Sequence, residues 1–183
     1  MSYKQPDICI IDSPVGIEVP IQAIQLQMQS LDWLQKSFGR AITFNETYDN
    51  KTVKKPKILQ SDGDYYNVLP NDNFASQSFI SVISNETYLS IFKVTSKMKT
   101  RDLRITFSGN IKEIGKTTEQ LKIEIENELS KVYEVKKINS FVDEKAETVF
   151  DGYTIDDKNT QYYMFPFFCF RFDVTVIYSD SQC

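Results

Sequence analysis

Close to the end of this 183-residue chain, Phe170, Phe172, Val174, Val176 and Tyr178 alternate with Arg171, Asp173 and Thr175. Period-two alternation is the pattern of a β-strand with one buried face, and the aromatic and β-branched residues here favour extended backbone. Such a strand commits the chain to a sheet with an apolar layer laid over that face. Leu103, Ile105 and Phe107 alternate with Arg104, Thr106 and Ser108 and carry the same signature. Phe79 to Ile83 is a further β-rich run, and Tyr88 to Thr95 another candidate strand. Ile8 to Ile11 reads as a short strand or an extended arm, and Phe141 to Tyr153 as one or two short strands leading to a turn. Asp156 to Thr160 reads as a polar loop.

Two segments change period. Pro20 suits the first turn of a helix, where its missing N–H costs nothing. From there Ile21, Ile24, Met28, Leu31, Leu34 and Phe38 recur at spacings of three and four, which predicts an amphipathic helix ending near Gly39. A second helix is predicted to start at Thr117. Thr117 and Gln120 have capping-box spacing, and Leu121, Ile125, Leu129 and Val132 form the apolar stripe that follows. Between the first helix and the central strands, Asn45 to Asn73 is polar and punctuated by Pro56, Gly63 and Pro70. A long loop or hairpin insertion is expected there, much of it loop. Regular βαβ alternation is absent, so the fold class is α+β: two amphipathic helices packed on a mainly antiparallel sheet, in one domain over residues 1–183.

Composition narrows function. Hydrophobic residues make up 41% and charged residues 25%, too apolar for general disorder. A net charge of −4 gives no global basic field for a phosphate backbone. The longest apolar stretch, Tyr162 to Phe172, contains Pro166 and Arg171 and falls short of the ~18–20 residues a membrane span needs. No membrane partner is therefore expected. Cys9, Cys169 and Cys183 are scattered and odd in number, which suits buried thiols in a reducing compartment. The Asn-x-Thr sequences at Asn45, Asn50 and Asn85 read as chance.

Histidine is absent, which removes the commonest general base and metal ligand. Asp62 with Asp64, and Asp156 with Asp157, fall in turn-forming sequence, where aspartate serves local backbone hydrogen bonding. Gly109-Asn-Ile-Lys-Glu-Ile-Gly115-Lys116-Thr117 follows a predicted strand and opens a predicted helix, the context of a phosphate-binding loop. Its glycines stand one residue further apart than that loop requires, which would misdirect the N–H groups that must converge on one phosphate. Gly115 then reads as a turn residue and Thr117 as a helix cap. Lys51, Lys54, Lys55 and Lys57 make a small basic cluster with Tyr48, Tyr65 and Tyr66 nearby. Contact with a single nucleic-acid strand is one reading of it; a solvated loop facing an acidic neighbour is the favoured one. The aromatic run Tyr162, Tyr163, Phe165, Phe167, Phe168, Phe170 and Phe172 exceeds what one sheet face needs. Either the strand is buried on both faces, or its apolar surface is covered by a neighbouring subunit. On the second reading the subunit interface comprises Tyr65, Tyr66, Tyr162, Tyr163, Phe165, Phe167 and Phe168.

The element order, with the opening helix ending in Leu31-Asp32-Trp33-Leu34 and the closing Phe170-x-Phe172-x-Val174-x-Val176-x-Tyr178, resembles the tail-terminator and neck (head–tail connector) ring proteins of tailed bacteriophages. That resemblance implies a tail-terminator-like fold and a structural, non-enzymatic ring subunit without cofactor or metal. It would be assembled in the host cytoplasm and located in the virion neck or tail. Its partners would be identical subunits and neighbouring neck, portal or tail proteins, with DNA at most passing through the ring channel. Asn45 to Asn73 would be a partner-contacting insertion. Two other functions stay open: a nucleotide-binding enzyme using Gly109 to Thr117, and a non-viral cytoplasmic protein-binding module.

Overall fold

A computed structural model describes residues 7–8, 11–48, 51–59, 63–70, 73–89, 98–143, 145–155, 161–162 and 164–179. In chain order these form β1 (Asp7–Ile8), α1 (Glu18–Met28), β2 (Lys36–Tyr48), β3 (Lys51–Leu59), β4 (Tyr65–Asn67), β5 (Ser76–Val82) and β6 (Thr87–Tyr88). Then come β7 (Met98–Asn110), α2 (Ile111–Ile114), α3 (Thr118–Leu129), β8 (Val135–Val142), α4 (Ala146–Val149) and β9 (Phe167–Ser179). The architecture is α+β, with one large mixed sheet in the order β4-β3-β2-β5-β7-β9-β8. The pairs β1–β2 and β2–β5 are parallel and the rest antiparallel.

The two alternating runs seen in the sequence become the sheet's centre. β7 and β9 pair from Met98 opposite Ser179 to Asn110 opposite Phe167. Leu103, Ile105 and Phe107 share one face with Phe170, Phe172, Val174 and Val176, all essentially inaccessible to water. Phe107 meets Phe170 at 5.5 Å and Phe172 edge-on at 6.3 Å. Burying side chains of this size stabilises by about 1.5–3 kcal/mol each. α1 and α3 cover that face: Ile21, Ile24 and Met28 from one, Leu121, Ile125 and Leu129 from the other. The predicted capping box at Thr117 and Gln120 forms in full.

The opposite face carries a smaller core of Phe38, Ile58, Val68, Leu69, Phe79, Val149 and Phe150. It also carries charge. Arg104 Nε donates to Asp173 at 3.0 Å, and Arg104 Nη1 to the Asp151 carbonyl at 2.8 Å. Arg171 Nη1 donates to the carbonyl oxygens of Thr148 and Val149, tying α4 to the sheet. Burial, and then the neighbouring Arg104 charge, lower the Arg171 pKa, while Asp173 and Asp151 oppose that shift.

Two expectations need correction. The first helix stops at Met28 rather than near Gly39, and Phe38 lies in β2. After Met28 the backbone continues in i→i−3 turns, Leu31 N–H to the Met28 carbonyl and Leu34 N–H to the Leu31 carbonyl. A three-residue spacing keeps Leu31 and Leu34 in the core, so the apolar period outlasts the helix. Contacts from the start of β5 fix this turn: the Gln35 N–H donates to Ser76 Oγ at 2.8 Å, and the Ala75 N–H to Gln35 Oε1 at 2.7 Å. Of the two forms expected for 45–73, loop or hairpin insertion, the hairpin is the one present, and less of the segment is loop than expected. β2 and β3 pair from Ile42 opposite Lys57 to Tyr48 opposite Lys51, and β4 adds to β3. The strand expected over Tyr88 to Thr95 is described only at Thr87–Tyr88, and the loop at Asp156 to Thr160 lies outside the described residues. Phe141 to Tyr153 holds the end of β8, then α4 and a turn.

Burial pushes the Cys169 thiol up to about 12. That folded-state value lies above the ordinary value of about 8.5. The protonated thiol therefore favours the fold at neutral pH, and this contribution is lost as pH rises through about 12. Iodoacetamide at pH 8 is expected to alkylate Cys169 at least about a hundredfold more slowly in the native protein than in urea. Peptide mass mapping over time reads the ratio.

Candidate interaction surfaces

β2 is paired with β5 only as far as Ala41 opposite Ser81, and from Ile42 onward with β3. The hairpin therefore continues past the end of β5 as an arm, with β4 added to β3 at its base. A lone hairpin is marginal in water, and this one is braced from below. Lys54 N–H donates to Thr154 Oγ1 at 3.0 Å, Thr154 N–H donates to the Lys54 carbonyl at 2.8 Å, and Val68 N–H donates to the Pro56 carbonyl at 3.1 Å. On that braced face, Ile58 is buried and Tyr66 stacks on Phe38 at 5.5 Å.

The register places Ile42, Phe44, Leu59 and Tyr65 on the other face of the arm. Ile42 is 47%, Leu59 58% and Tyr65 48% exposed, and the Tyr65 ring leans on Phe44 at 4.5 Å. Lys57 Nζ sits 5.4 Å from the Phe44 ring centroid. Lys55 and Lys57 are both paired with Glu46. These four apolar side chains thus share one face with a charged border of Lys55, Lys57 and Glu46.

The predicted interface residues do not form one group. Tyr65 lies on the open face of the arm, while Tyr66 is turned into the smaller core. Phe168 and Tyr162 are buried, and Phe167 is half-buried with the Tyr162 ring edge against it at 5.2 Å. Phe165 is 76% exposed, beside Met164 at 69%, in the turn before β9. Tyr163 lies outside the described residues. So Phe165 and Met164 form a second exposed apolar spot, at the end of the sheet where β5 and β9 begin, opposite the arm. The basic cluster lies on β3 rather than in a loop. Sequence reading missed Ile42, Phe44 and Leu59. The signal present was the alternation Ile42, Phe44, Glu46 against Thr43, Asn45, Thr47, which runs from residues assigned to no element into the polar segment at Asn45.

Gly109 to Thr117 is not a single loop. Gly109 and Asn110 end β7, α2 makes one turn, Gly115 closes it at φ +74°, and Thr117 caps α3. Lys116 Nζ donates to Asp32 Oδ1 at 2.7 Å and to Glu124 Oε1 and Oε2 at 2.9 Å, while Glu124 also accepts from Trp33 Nε1 at 3.0 Å. Burial alone would lower the Lys116 pKa, but the hydrogen bonds to Asp32 and Glu124 outweigh it and raise it. A phosphate arriving here would meet two carboxylates around an ammonium already engaged. Among the described residues no group of three or more Cys, Asp or Glu side chains could hold a metal ion. No described helix is long and apolar enough to cross a membrane. Asp64 is described, whereas Asp62, Asp156 and Asp157 lie outside the described residues.

No family model, curated protein or solved structure matches this chain.

The two glycines of this segment serve different ends. A Cβ on Gly109 would come within 2.7 Å of the Ala75 carbonyl oxygen and 3.0 Å of Ser76 Cα, both backbone atoms, whereas Gly115 has nothing within 4 Å but a positive φ. Gly109→Ala is expected to cost about 1–3 kcal/mol through overpacking, and Gly115→Ala about 1 kcal/mol through left-handed backbone. Lys116→Ala should cost about 0–1 kcal/mol, because its partners Asp32 and Glu124 are 42% and 36% exposed and water can replace the ammonium. Urea unfolding midpoints of the three variants order these costs.

Proposed function

We propose that this protein is a structural ring subunit of the neck or tail of a tailed bacteriophage, tail-terminator-like in fold, linking portal or head to tail. The observation that carries this reading is the presence of two unlike apolar surfaces at opposite ends of the sheet. One is the open face of the arm, Ile42, Phe44, Leu59 and Tyr65; the other is the turn at Met164 and Phe165. A closed ring of identical subunits needs heterologous contacts, in which one patch meets a different patch on the next copy. The braced arm gives such a contact reach and direction. The element order of α1, central antiparallel strands, α3 and the long β9 is the further support, through its resemblance to that group of ring proteins.

In this reading the protein needs no cofactor. DNA would at most pass through the ring, which agrees with the net charge of −4. Mass photometry of the purified protein, or of particles containing it, is expected to give one defined multiple of the 21.2 kDa chain. Leu59→Ser with Tyr65→Ser should shift that species towards monomer while leaving circular dichroism unchanged, since both side chains are about half exposed. A wild-type chain that stays strictly monomeric and never enters a particle overturns the proposal.

A further inference from the structure

At the β5-start end of the sheet, on the face opposite α1 and α3, a pocket of about 130 Å³ opens between β5, β7 and the segment leading into β9. Its lining includes Gln77, Phe74, Tyr162, Phe167 and, on α2, Glu113. We propose that this pocket binds a small organic cation, a primary ammonium or guanidinium group. The inference stands apart from the ring reading and from the arm.

Gln77 is 2% exposed. Its amide orientation is fixed, because Nε2 must face the Val68 carbonyl to donate to it at 2.8 Å. Oε1 is left buried with no partner, on a side chain that lines the pocket, an acceptor that asks for a donor. Glu113 adds a carboxylate. Its Oε1 accepts from Asn110 Nδ2 at 3.2 Å, and its other oxygen has no bond among the described residues. Tyr162 and Phe167 stand nearly perpendicular, at 76° and 5.2 Å, as two adjoining aromatic walls, with Phe74 among the other lining residues. Aromatic faces attract cations through their quadrupole. An unpartnered amide oxygen, a carboxylate and π faces all favour one kind of guest: a positive group rich in N–H donors on a short apolar stem. A single water needs only about 10–15 Å³ of such space, so the pocket is far larger than one water requires. Among the described residues, the lysine of the adjoining α2 does not fill it. Lys112 Nζ lies instead 5.3 Å from the ring of Phe165, which is not part of the lining.

The group could be a free amine or the end of a lysine or arginine side chain on a docked polypeptide. NMR titration of the full-length protein, followed at the Gln77 side-chain amide, tests the site with n-butylammonium, with 1-butanol as the neutral match, and with a capped Gly-Lys-Gly peptide. Saturable shifts are expected with n-butylammonium and not with the alcohol. Glu113→Gln, an exposed position that should not disturb folding, is expected to weaken binding about tenfold, the effect of losing one charged contact. Tyr162→Leu keeps apolar bulk without the π face and should also weaken it. Tighter binding of the peptide than of the amine assigns the site to a polypeptide side chain; the reverse assigns it to a free amine. Equal shifts with 1-butanol, no saturable shift with any probe, or unchanged affinity in both variants overturns the proposal.

Discussion

β7 and β9 pair along thirteen residues each, and the two faces of that pairing set the rest of the molecule. Toward one side it offers a continuous surface of Leu103, Ile105, Phe107, Phe170, Phe172, Val174 and Val176, wide enough to hold two helices side by side. Toward the other it offers Arg104, Arg171 and Asp173, which must be paired because isolated buried charge is costly. Both demands are local to the two strands. Their solutions recruit α1 and α3 on one side, and α4 with the 149–155 segment on the other.

That second side explains the arm. The segment held down by Arg171 and Arg104 continues to Tyr153, whose hydroxyl hydrogen-bonds Ser81 Oγ at 2.7 Å, and to Thr154, which bonds Lys54. Charge pairing on the central strands is thus linked, through about seven residues of chain, to support for a hairpin that leaves the sheet. The support reaches one face only. Ile42, Leu59 and Tyr65 stay exposed, and Phe44 is covered only by Tyr65 and Lys57, because the layer of α1 and α3 does not extend over them. This half-covered arm is one of the two surfaces on which the proposal of an assembling subunit rests.

The sheet edges differ in how they are guarded. β8, the edge strand beside β9, has two register irregularities against its partner and exposed Lys136 and Lys137. Both features discourage edge-to-edge pairing. The outer edge of β3 is occupied at Lys54 and Pro56 by Thr154 and Val68. Beyond Ala41, the β5-facing edge of β2 has neither a lysine nor a partner strand among the described residues. The less guarded edge and the bare apolar face belong to the same arm.

What was legible in the sequence was whatever rests on contacts within a few residues of the chain. The alternation of β9 and β7 survives as written because side chains on a strand change face at every residue. The α3 start survives because the Thr117 and Gln120 bonds close within one turn. The Gly115 turn survives because a positive φ is a property of one residue. The end of α1 was not legible: i→i−3 turns keep the apolar spacing of a helix, and Ser76 and Ala75, 41 and 40 residues from Gln35, fix the turn into β2. The arm was legible only as a possible hairpin, since its strands are held by pairing and by Thr154 rather than by an apolar face of their own. The interface residues divided for the same reason. Sequence alone determined that Tyr65, Phe165 and Phe168 are apolar and close to strands. Only the tertiary structure decided that Phe168 lies under α1 and α3 while Tyr65 and Phe165 face outward, because burial depends on which distant segment covers a side chain.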